Sequence, residues 1–175
     1  EDANAIASAV NVTTAADSAT VLLNSQLLKA TSIVLGGEAN ASADNATALA
    51  ARLNVNGKLL AVSDYVAQDL SAITNDSGSL VVTTSDTEKS TLHTAELSKV
   101  TQIKIGDGTA SVSASDVHDL GAAKFVSNSN TDDANQIEVV DYIAGKNIAA
   151  IDDNLKVIVA TSVSNTGSNT LDLDP

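Results

Sequence analysis

The chain of 175 residues carries nine basic and 22 acidic side chains, a formal charge of −13, and this negative field disfavours nucleic acid and anionic lipid as partners. It contains no cysteine, which excludes disulfides and thiolate metal sites, and no apolar run approaches the ~18–20 residues that insertion into a membrane as a helix requires. One Phe, two Tyr and no Trp leave Ala, Val, Leu and Ile to build the core, so we expect a thin core between closely packed elements.

Seven short segments rich in β-branched residues predict β-strands. They span residues 10–14, 32–35, 59–62, 80–84, 101–105, 137–140 and 155–160, with most centres about 20–25 residues apart. Apolar residues at helical spacing lie between several of these segments. The predicted helical stripes are Leu22, Leu23 and Leu27; Ala46, Leu49, Ala50 and Leu53; Val66, Leu70 and Ile73; and Ile143, Ile148 and Ile151.

Acidic residues stand close to the start of the predicted helical segments, where a carboxylate can accept from free backbone N–H groups. We interpret five of them as helix caps: Asp17, Asp44, Asp64, Asp116 and Asp141. Residues 85–88, Ser-Asp-Thr-Glu, have the form of a capping box. These residue types therefore predict helix starts before they predict ligands or catalysts.

The sequence repeats itself at two fixed offsets. At the first offset, Val12-Thr13-Thr14 recurs as Val82-Thr83-Thr84, and six further identities extend the match as far as Gly36 and Gly106. The second offset is slightly longer and aligns Asp64-Tyr65 with Asp141-Tyr142 and residues 82–85 with 159–162. Duplicated units that bury their faces against neighbours are typical of repeat architectures.

Together, the strands, short helices and repeats predict an α/β solenoid with a parallel sheet on one side and helices on the other. Each coil has about 22 residues, and three coils form a super-repeat of about 70 residues. We favour this layout over a compact doubly wound sheet because duplication is easier to explain in a stack. The predicted organisation is an N-terminal segment at 1–9, repeat 1 at 10–81, repeat 2 at 82–161 and a polar tail or linker at 162–175.

Calcium is the ligand that the polar loops predict, because Ca²⁺ prefers six to eight oxygen ligands from closely spaced Asp and Asn. A polar insertion in repeat 2 contains most of the candidates. The predicted metal ligands are Asn128, Asn130, Asp132, Asp133, Asn135 and, in a separate loop, Asp107. The alternative is that these residues form solvated turns, in which Asp, Asn and Gly are common.

No motif for catalysis or cofactor binding stands out. His93 and His118 lie in different predicted helices and outside any HExxH pattern, so we expect both on the surface. No GxSxG nucleophile elbow is present, although a Ser-His-Asp group can assemble in space from distant residues. The sequence therefore predicts a protein that is not an enzyme.

The alternation of Ala/Asn/Asp-rich segments with Val/Ile/Thr strands, as in residues 62–73 followed by 80–84, resembles repeat modules of large bacterial and archaeal surface proteins, namely S-layer-like proteins and giant adhesins. The resemblance implies an extracellular structural or adhesive protein, commonly exported without disulfides and often dependent on calcium.

We expect a structural subunit of the cell surface that assembles head to tail into a filament or S-layer-like array, or that forms part of an adhesin stalk. Its partner is a second copy or a neighbouring repeat of the same polypeptide, with contacts from residues 1–9 and 162–175. A glycan- or cell-binding module is the alternative, and an envelope hydrolase is a third. Scarce aromatic residues disfavour glycan binding, and Tyr65 and Tyr142 occupy equivalent repeat positions that suggest packing.

Overall fold

The computed structural model describes residues 8–121, 123–128, 135–142, 148–152 and 154–160. The described strands are β1 (Asn11–Thr13), β2 (Thr20–Val21), β3 (Ser32–Val34), β4 (Ala39–Ser42), β5 (Leu53–Asn54), β6 (Leu59–Tyr65), β7 (Ser79–Thr84), β8 (Ser90–Leu92), β9 (Gln102–Ile105), β10 (Ala110–Ser113), β11 (Lys124–Ser127), β12 (Gln136–Val140) and β13 (Lys156–Ala160). The α-helices are α1 (Ala43–Leu49), α2 (Thr94–Leu97) and α3 (Ala114–Asp119), and single 3₁₀ turns occur at Asn24–Gln26 and Ala50–Arg52.

The strands form three sheets, in the orders β1-β3-β5, β2-β4-β6-β7-β9-β11 and β8-β10-β12-β13. Every strand pairing in the described residues is parallel. The prediction of an α/β protein with parallel strands is confirmed. The prediction of a single sheet is wrong, because the chain divides its strands among three.

Neighbouring strands pair at a nearly constant separation along the chain. Asn11 pairs with Ser32 at one end of the described chain, and Gln136 pairs with Lys156 at the other, with almost the same separation. The longest separation is that between Ala110 and Ile137, and the polar insertion lies within it. Each strand therefore bonds to the chain segment that follows it by about one predicted coil.

Helices are fewer than the apolar spacing predicted. Residues 66–73 form no helix, because the Gln68 side chain accepts from the N–H groups of Val66 and Ala67, and the Leu70 N–H donates to the Glu96 carbonyl. In the first predicted helix only the 3₁₀ turn at Asn24–Gln26 forms. Of the last stripe, Ile143 lies outside the described residues, and Ile151 instead forms a parallel bridge with Phe125.

The predicted Asp caps are also corrected. Serines hold the N-cap positions of α1 and α3: Ser42 accepts from the Asn45 N–H, and Ser113 accepts from the Asp116 N–H. Asp44 and Asp116 lie beyond the cap, within the first turn of each helix. The other three, Asp17, Asp64 and Asp141, begin no helix in the described residues.

Two of those aspartates share a rarer conformation. Asp64 and Asp141 have φ values of 56° and 52°, the left-handed region that L-residues other than Asn and Asp seldom adopt. Asp64 lies within β6, directly before the buried Tyr65, whereas Asp141 directly follows β12. The two aspartates are counterparts at the second offset. The Ser85 hydroxyl accepts from the N–H groups of Thr87 and Glu88, but β8 follows at once, so the predicted capping box closes a turn.

The core is built from small aliphatic side chains, as the composition predicted. Alanines from β4, α1 and β10 are buried beside Leu, Val and Ile from every sheet. Tyr65 and Phe125 are the largest fully buried side chains. Among the described residues, no buried side-chain nitrogen or oxygen lacks a hydrogen-bond partner, so the thin core carries no uncompensated polar group.

Hydrogen bonds recur at the first offset of the sequence repeat. The Gly36 N–H donates to Thr14 Oγ1 at 3.0 Å, and the Gly106 N–H donates to Thr84 Oγ1 at 2.9 Å. Thr31 and Thr101 likewise each bond with both backbone groups of a residue one coil earlier, Val10 and Leu80. The threonine and glycine identities therefore have a structural cause, a side-chain bond between successive strand segments.

Candidate functional site

The predicted calcium ligands lie in two loops, and only part of the insertion is within the described residues. Asn130, Asp132 and Asp133 lie outside them. The Asn128 N–H donates to the Ile105 carbonyl at 2.9 Å. Asp107 is exposed, and its N–H donates to Asp86 Oδ1 at 2.9 Å. The structure therefore brings both loops close to the end of β9.

Among the predicted ligands that the structure describes, only Asn135 has a buried side chain, at 4% exposure. Its Oδ1 accepts from the Ser127 hydroxyl at 3.0 Å, and its Nδ2 donates to the Ile105 carbonyl. Both polar atoms of the amide are thus bonded within the protein, which favours a structural role. Across the part of the chain that the structure describes, no group of three or more His, Cys, Asp or Glu side chains is arranged to hold a metal ion.

An open groove of about 570 Å³ lies beside β12 and β13, next to the loops that precede β8 and β10. Its charged lining consists of Asp86, Glu88, Lys89, Asp107 and Glu138. Lys89 Nζ lies 2.6 Å from Glu138 Oε2, so the single lysine is paired with one of the four carboxylates. The groove carries a net negative charge and suits a cationic ligand better than an anionic one.

A second polar cluster centres on Asp116. Its Oδ1 accepts from the N–H and the hydroxyl of Thr94, at 2.9 and 2.8 Å, and its Oδ2 accepts from the Ser113 hydroxyl at 2.7 Å. His93 Nδ1 lies 3.6 Å from Oδ2. Burial raises the pKa of Asp116, but the hydrogen bonds from Ser113 and Thr94 outweigh it and hold that pKa below its usual range.

This cluster contains Ser, His and Asp, yet its order differs from that of a hydrolytic triad. In a triad the histidine stands between the acid and the nucleophile. Here Asp116 stands in the middle and bonds to Ser113, and the Ser113 hydroxyl also accepts from the Asp116 N–H as a helix cap. The arrangement joins the start of α2 to the start of α3 and is suited to positioning them.

The two tyrosines differ in environment although they occupy equivalent repeat positions. Tyr65 is fully buried, and its hydroxyl donates to Glu96 Oε2 at 3.4 Å. Burial and the nearby Glu96 carboxylate raise the pKa of Tyr65 above its usual range. Tyr142 is 43% exposed. The packing role predicted for both therefore holds for Tyr65 alone.

Several of the exposed apolar side chains lie on the first and last strand segments. Val157, Ile158 and Val159 of β13 are 37, 37 and 47% exposed, and Val10, next to β1, is 41% exposed. Among the described residues, β1 pairs only with β3 and β13 only with β12. Of the predicted contact segments, 1–9 and 162–175, only residues 8 and 9 are described. The sequence assigned the contacts between units to residues 1–9 and 162–175 rather than to β1 and β13, although the Val-Ile-Val run of β13 was available as a signal.

Comparison with protein families, with curated proteins and with solved structures found no match to this chain. No helix in the described residues is long and apolar enough to cross a membrane.

Proposed function

We propose that this chain is a structural protein of the cell surface whose coils stack as a solenoid and whose ends join to further units. The units are second copies of the chain, in a filament or S-layer-like array, or neighbouring repeats of one polypeptide, as in an adhesin stalk. The observation that carries the proposal is the pair of strand edges, β1 and β13, that expose apolar side chains and are paired on one side only within the described residues.

The strand registers support the solenoid. Most paired strands are separated by about one predicted coil, so that each segment lies beside the segment one coil later. In such a stack each coil contacts only its neighbours, and the end coils have one neighbour fewer. End faces of this kind favour heterologous contacts, which grow open assemblies when the rotation between copies does not close.

The surface location and the calcium dependence belong to the same proposal. The resemblance of residues 62–73 and 80–84 to surface-protein repeats supports an extracellular location, and the charge of −13 favours solubility at high concentration. In this proposal the polar insertion binds Ca²⁺, with Asp132 and Asp133 as the charged ligands. Bound Ca²⁺ would offset part of the negative charge of the insertion.

Sedimentation velocity and negative-stain electron microscopy of the purified chain, in millimolar calcium and in EDTA, test the proposal. We expect concentration-dependent assemblies larger than a monomer, with a shift in EDTA if calcium supports the contacts. Val159→Lys places a charge on the β13 edge and should abolish assembly. Leu28→Lys is the matched control, since Leu28 is 63% exposed but lies in no strand.

Monomers at every concentration, in both solutions, would contradict self-assembly of this chain. A segment of an adhesin stalk or a surface-recognition module would then become the stronger hypothesis. Equal loss of assembly in the Val159→Lys and Leu28→Lys variants would show that added charge, rather than the strand edge, is responsible.

A further inference from the structure

The exposed ring of Tyr142 marks a surface that the chain's own C-terminal tail fits. Tyr142 is 43% exposed, whereas its counterpart Tyr65 is fully buried. We propose that residues 162–175 fold back over Tyr142. They bury its ring in the way that residues 85–97 bury Tyr65. The cover forms within one chain, so it does not depend on the proposed assembly.

The two tyrosines follow equivalent pairs of strands. Leu59 pairs with Ser79 where β6 meets β7. Gln136 pairs with Lys156 where β12 meets β13, at the same separation along the chain. In both pairs the first residue of the second strand donates its N–H to the carbonyl of the residue that precedes the first strand. The residue directly before each tyrosine is an aspartate in the left-handed region. The backbone therefore reaches Tyr142 by the path that it takes to Tyr65.

The segment that follows β7 closes over Tyr65. The Ser85 N–H donates to the Tyr65 carbonyl at 2.9 Å, and the Ser90 hydroxyl donates to the same oxygen at 2.6 Å. The Thr91 N–H donates to the Val66 carbonyl at 2.8 Å. The chain after β7 is thus bonded to the chain at the end of β6, and this contact takes Tyr65 out of solvent.

The tail carries the residue types that such a contact uses, although residues 161–175 lie outside the described residues. Residues 159–162 match residues 82–85 at the second offset, and both segments end in Thr-Ser. After a loop that is longer by two residues, Thr-Leu follows at 170–171, as Thr-Leu follows at 91–92. Leu92 is fully buried. The tail therefore has an apolar side chain for the corresponding place beside Tyr142.

The charge of the tail also suits this position. Residues 161–170 contain no charged side chain, in a chain whose formal charge is −13. A neutral segment can approach the acidic chain, including Asp141 beside Tyr142, without like-charge repulsion. Burial of an aromatic ring removes a large apolar area from water, which supplies the driving force for the cover.

The proposed cover leaves the far edge of β13 free. β7 pairs with β9 on the side away from β6, whereas the segment after β7 continues into β8, which belongs to another sheet and pairs with β10. By the same geometry the tail lies over Tyr142 and not along the far edge of β13. Residues 162–175 then act as a cover within the unit, in contrast to the contact between units that the sequence predicted for them.

Tyrosine fluorescence tests the cover, because the chain has two tyrosines and no Trp. Tyr65→Phe leaves Tyr142 as the one tyrosine emitter, and circular dichroism checks that this variant folds. We expect acrylamide to quench Tyr142 much less than it quenches N-acetyltyrosinamide. Leu171→Asp, added to Tyr65→Phe, should raise the quenching towards that of the free amide. Thr166→Asp is the matched control, since Thr166 lies in the longer loop, and it should leave the quenching unchanged.

Two results of this experiment would overturn the cover. Quenching of Tyr142 that is equal with and without Leu171→Asp would show that the tail does not shield the ring. Shielding that appears only as the protein concentration rises would show that a second copy, rather than the tail of the same chain, lies over Tyr142.

An engineered disulfide tests the same contact in a chain that keeps both tyrosines. Ile143 is the counterpart of Val66, so the cover places Thr170 next to it, as Thr91 lies next to Val66. Residues on neighbouring strand segments lie about 5 Å apart, within the range that a disulfide spans. The intrachain disulfide of Ile143→Cys/Thr170→Cys should form about tenfold faster than that of Ile143→Cys/Thr166→Cys. Equal rates would contradict the cover, because a free tail presents both cysteines at similar effective concentration.

Discussion

Substitutions of Asp116 test how the coils are held together. A second cluster in the same chain, centred on Asn45, shows which bonds an amide makes at the corresponding helix position. In repeat 1 Asn45 occupies the equivalent position: its Oδ1 accepts from the Asn24 N–H at 2.8 Å, and its Nδ2 donates to the Ser42 hydroxyl at 2.9 Å. Asp116→Asn should therefore find the same bonds. Asp116→Ala should find none, and the Thr94 N–H would lose its acceptor.

The magnitudes follow from the number of hydrogen bonds. Three donors reach the Asp116 carboxylate, from Thr94 and Ser113, and its side chain is 20% exposed. Bonds to charged groups contribute about 1.5–3 kcal/mol each when fully buried. Because solvent and rearranged neighbours replace part of this, we expect Asp116→Ala to lower the free energy of unfolding by about 2–3 kcal/mol. For Asp116→Asn we expect a loss below about 1 kcal/mol.

The pH dependence has a defined sign. The pKa of Asp116 is lower in the folded protein than its ordinary value, so the charged carboxylate stabilises the fold above that ordinary value. This contribution is lost as the pH falls through the folded pKa. Urea unfolding followed by circular dichroism, from pH 7 down to pH 3, measures it. The advantage of the wild type over Asp116→Asn should begin to shrink below about pH 4 and continue to shrink towards pH 3.

Two results would refute this reasoning. If Asp116→Asn costs as much as Asp116→Ala at pH 7, the amide of Asn45 is not a valid guide to this position. If the difference between wild type and Asp116→Asn stays constant down to pH 3, the carboxylate charge contributes nothing through these bonds.

Two further predictions concern close contacts. Gly36→Ala would force a Cβ into the Thr14 carbonyl oxygen, so we expect urea unfolding to show a free energy of unfolding lower by about 2–3 kcal/mol. Gly57→Ala should lower it less, because the nearest contact of a Cβ there is 3.4 Å and the main cost is the φ of +73°. Asn135→Ala should cost about 1–3 kcal/mol in calcium and in EDTA alike, because its amide bonds to Ser127 and to a backbone carbonyl. A loss confined to calcium solutions would instead identify Asn135 as a ligand.

The local pattern predicted strands better than helices. Runs such as residues 80–84 and 101–105 are β-branched and lie near β7 and β9. The apolar spacing of Val66, Leu70 and Ile73 predicted a helix, but their backbone groups bond elsewhere. A helix uses the N–H groups of its interior for its own bonds, and apolar spacing does not report whether a neighbouring segment competes for them.

The candidate sites also combine features that are visible in the sequence with contacts that only the fold creates. Ser113 and Asp116 are close in the chain, and their capping pattern is visible in the sequence. Thr94 joins them only because β8 and β10 pair in parallel, which brings the segments that follow them together. Likewise, the Asn and Asp of the insertion predicted oxygen ligands, but burial gives Asn135 bonds to Ser127 and Ile105 that its residue type does not specify.

The sequence by itself determined the duplication, the parallel pairing of segments about one coil apart and the small side chains of the core. Each of these follows from residue types that recur at fixed intervals along the chain. Only the tertiary structure decided which strand edges are paired on one side within the described residues. Val12, Val82 and Val159 are equivalent in sequence, and Val82 alone is fully buried, because burial depends on the number of neighbouring strands and not on the residue.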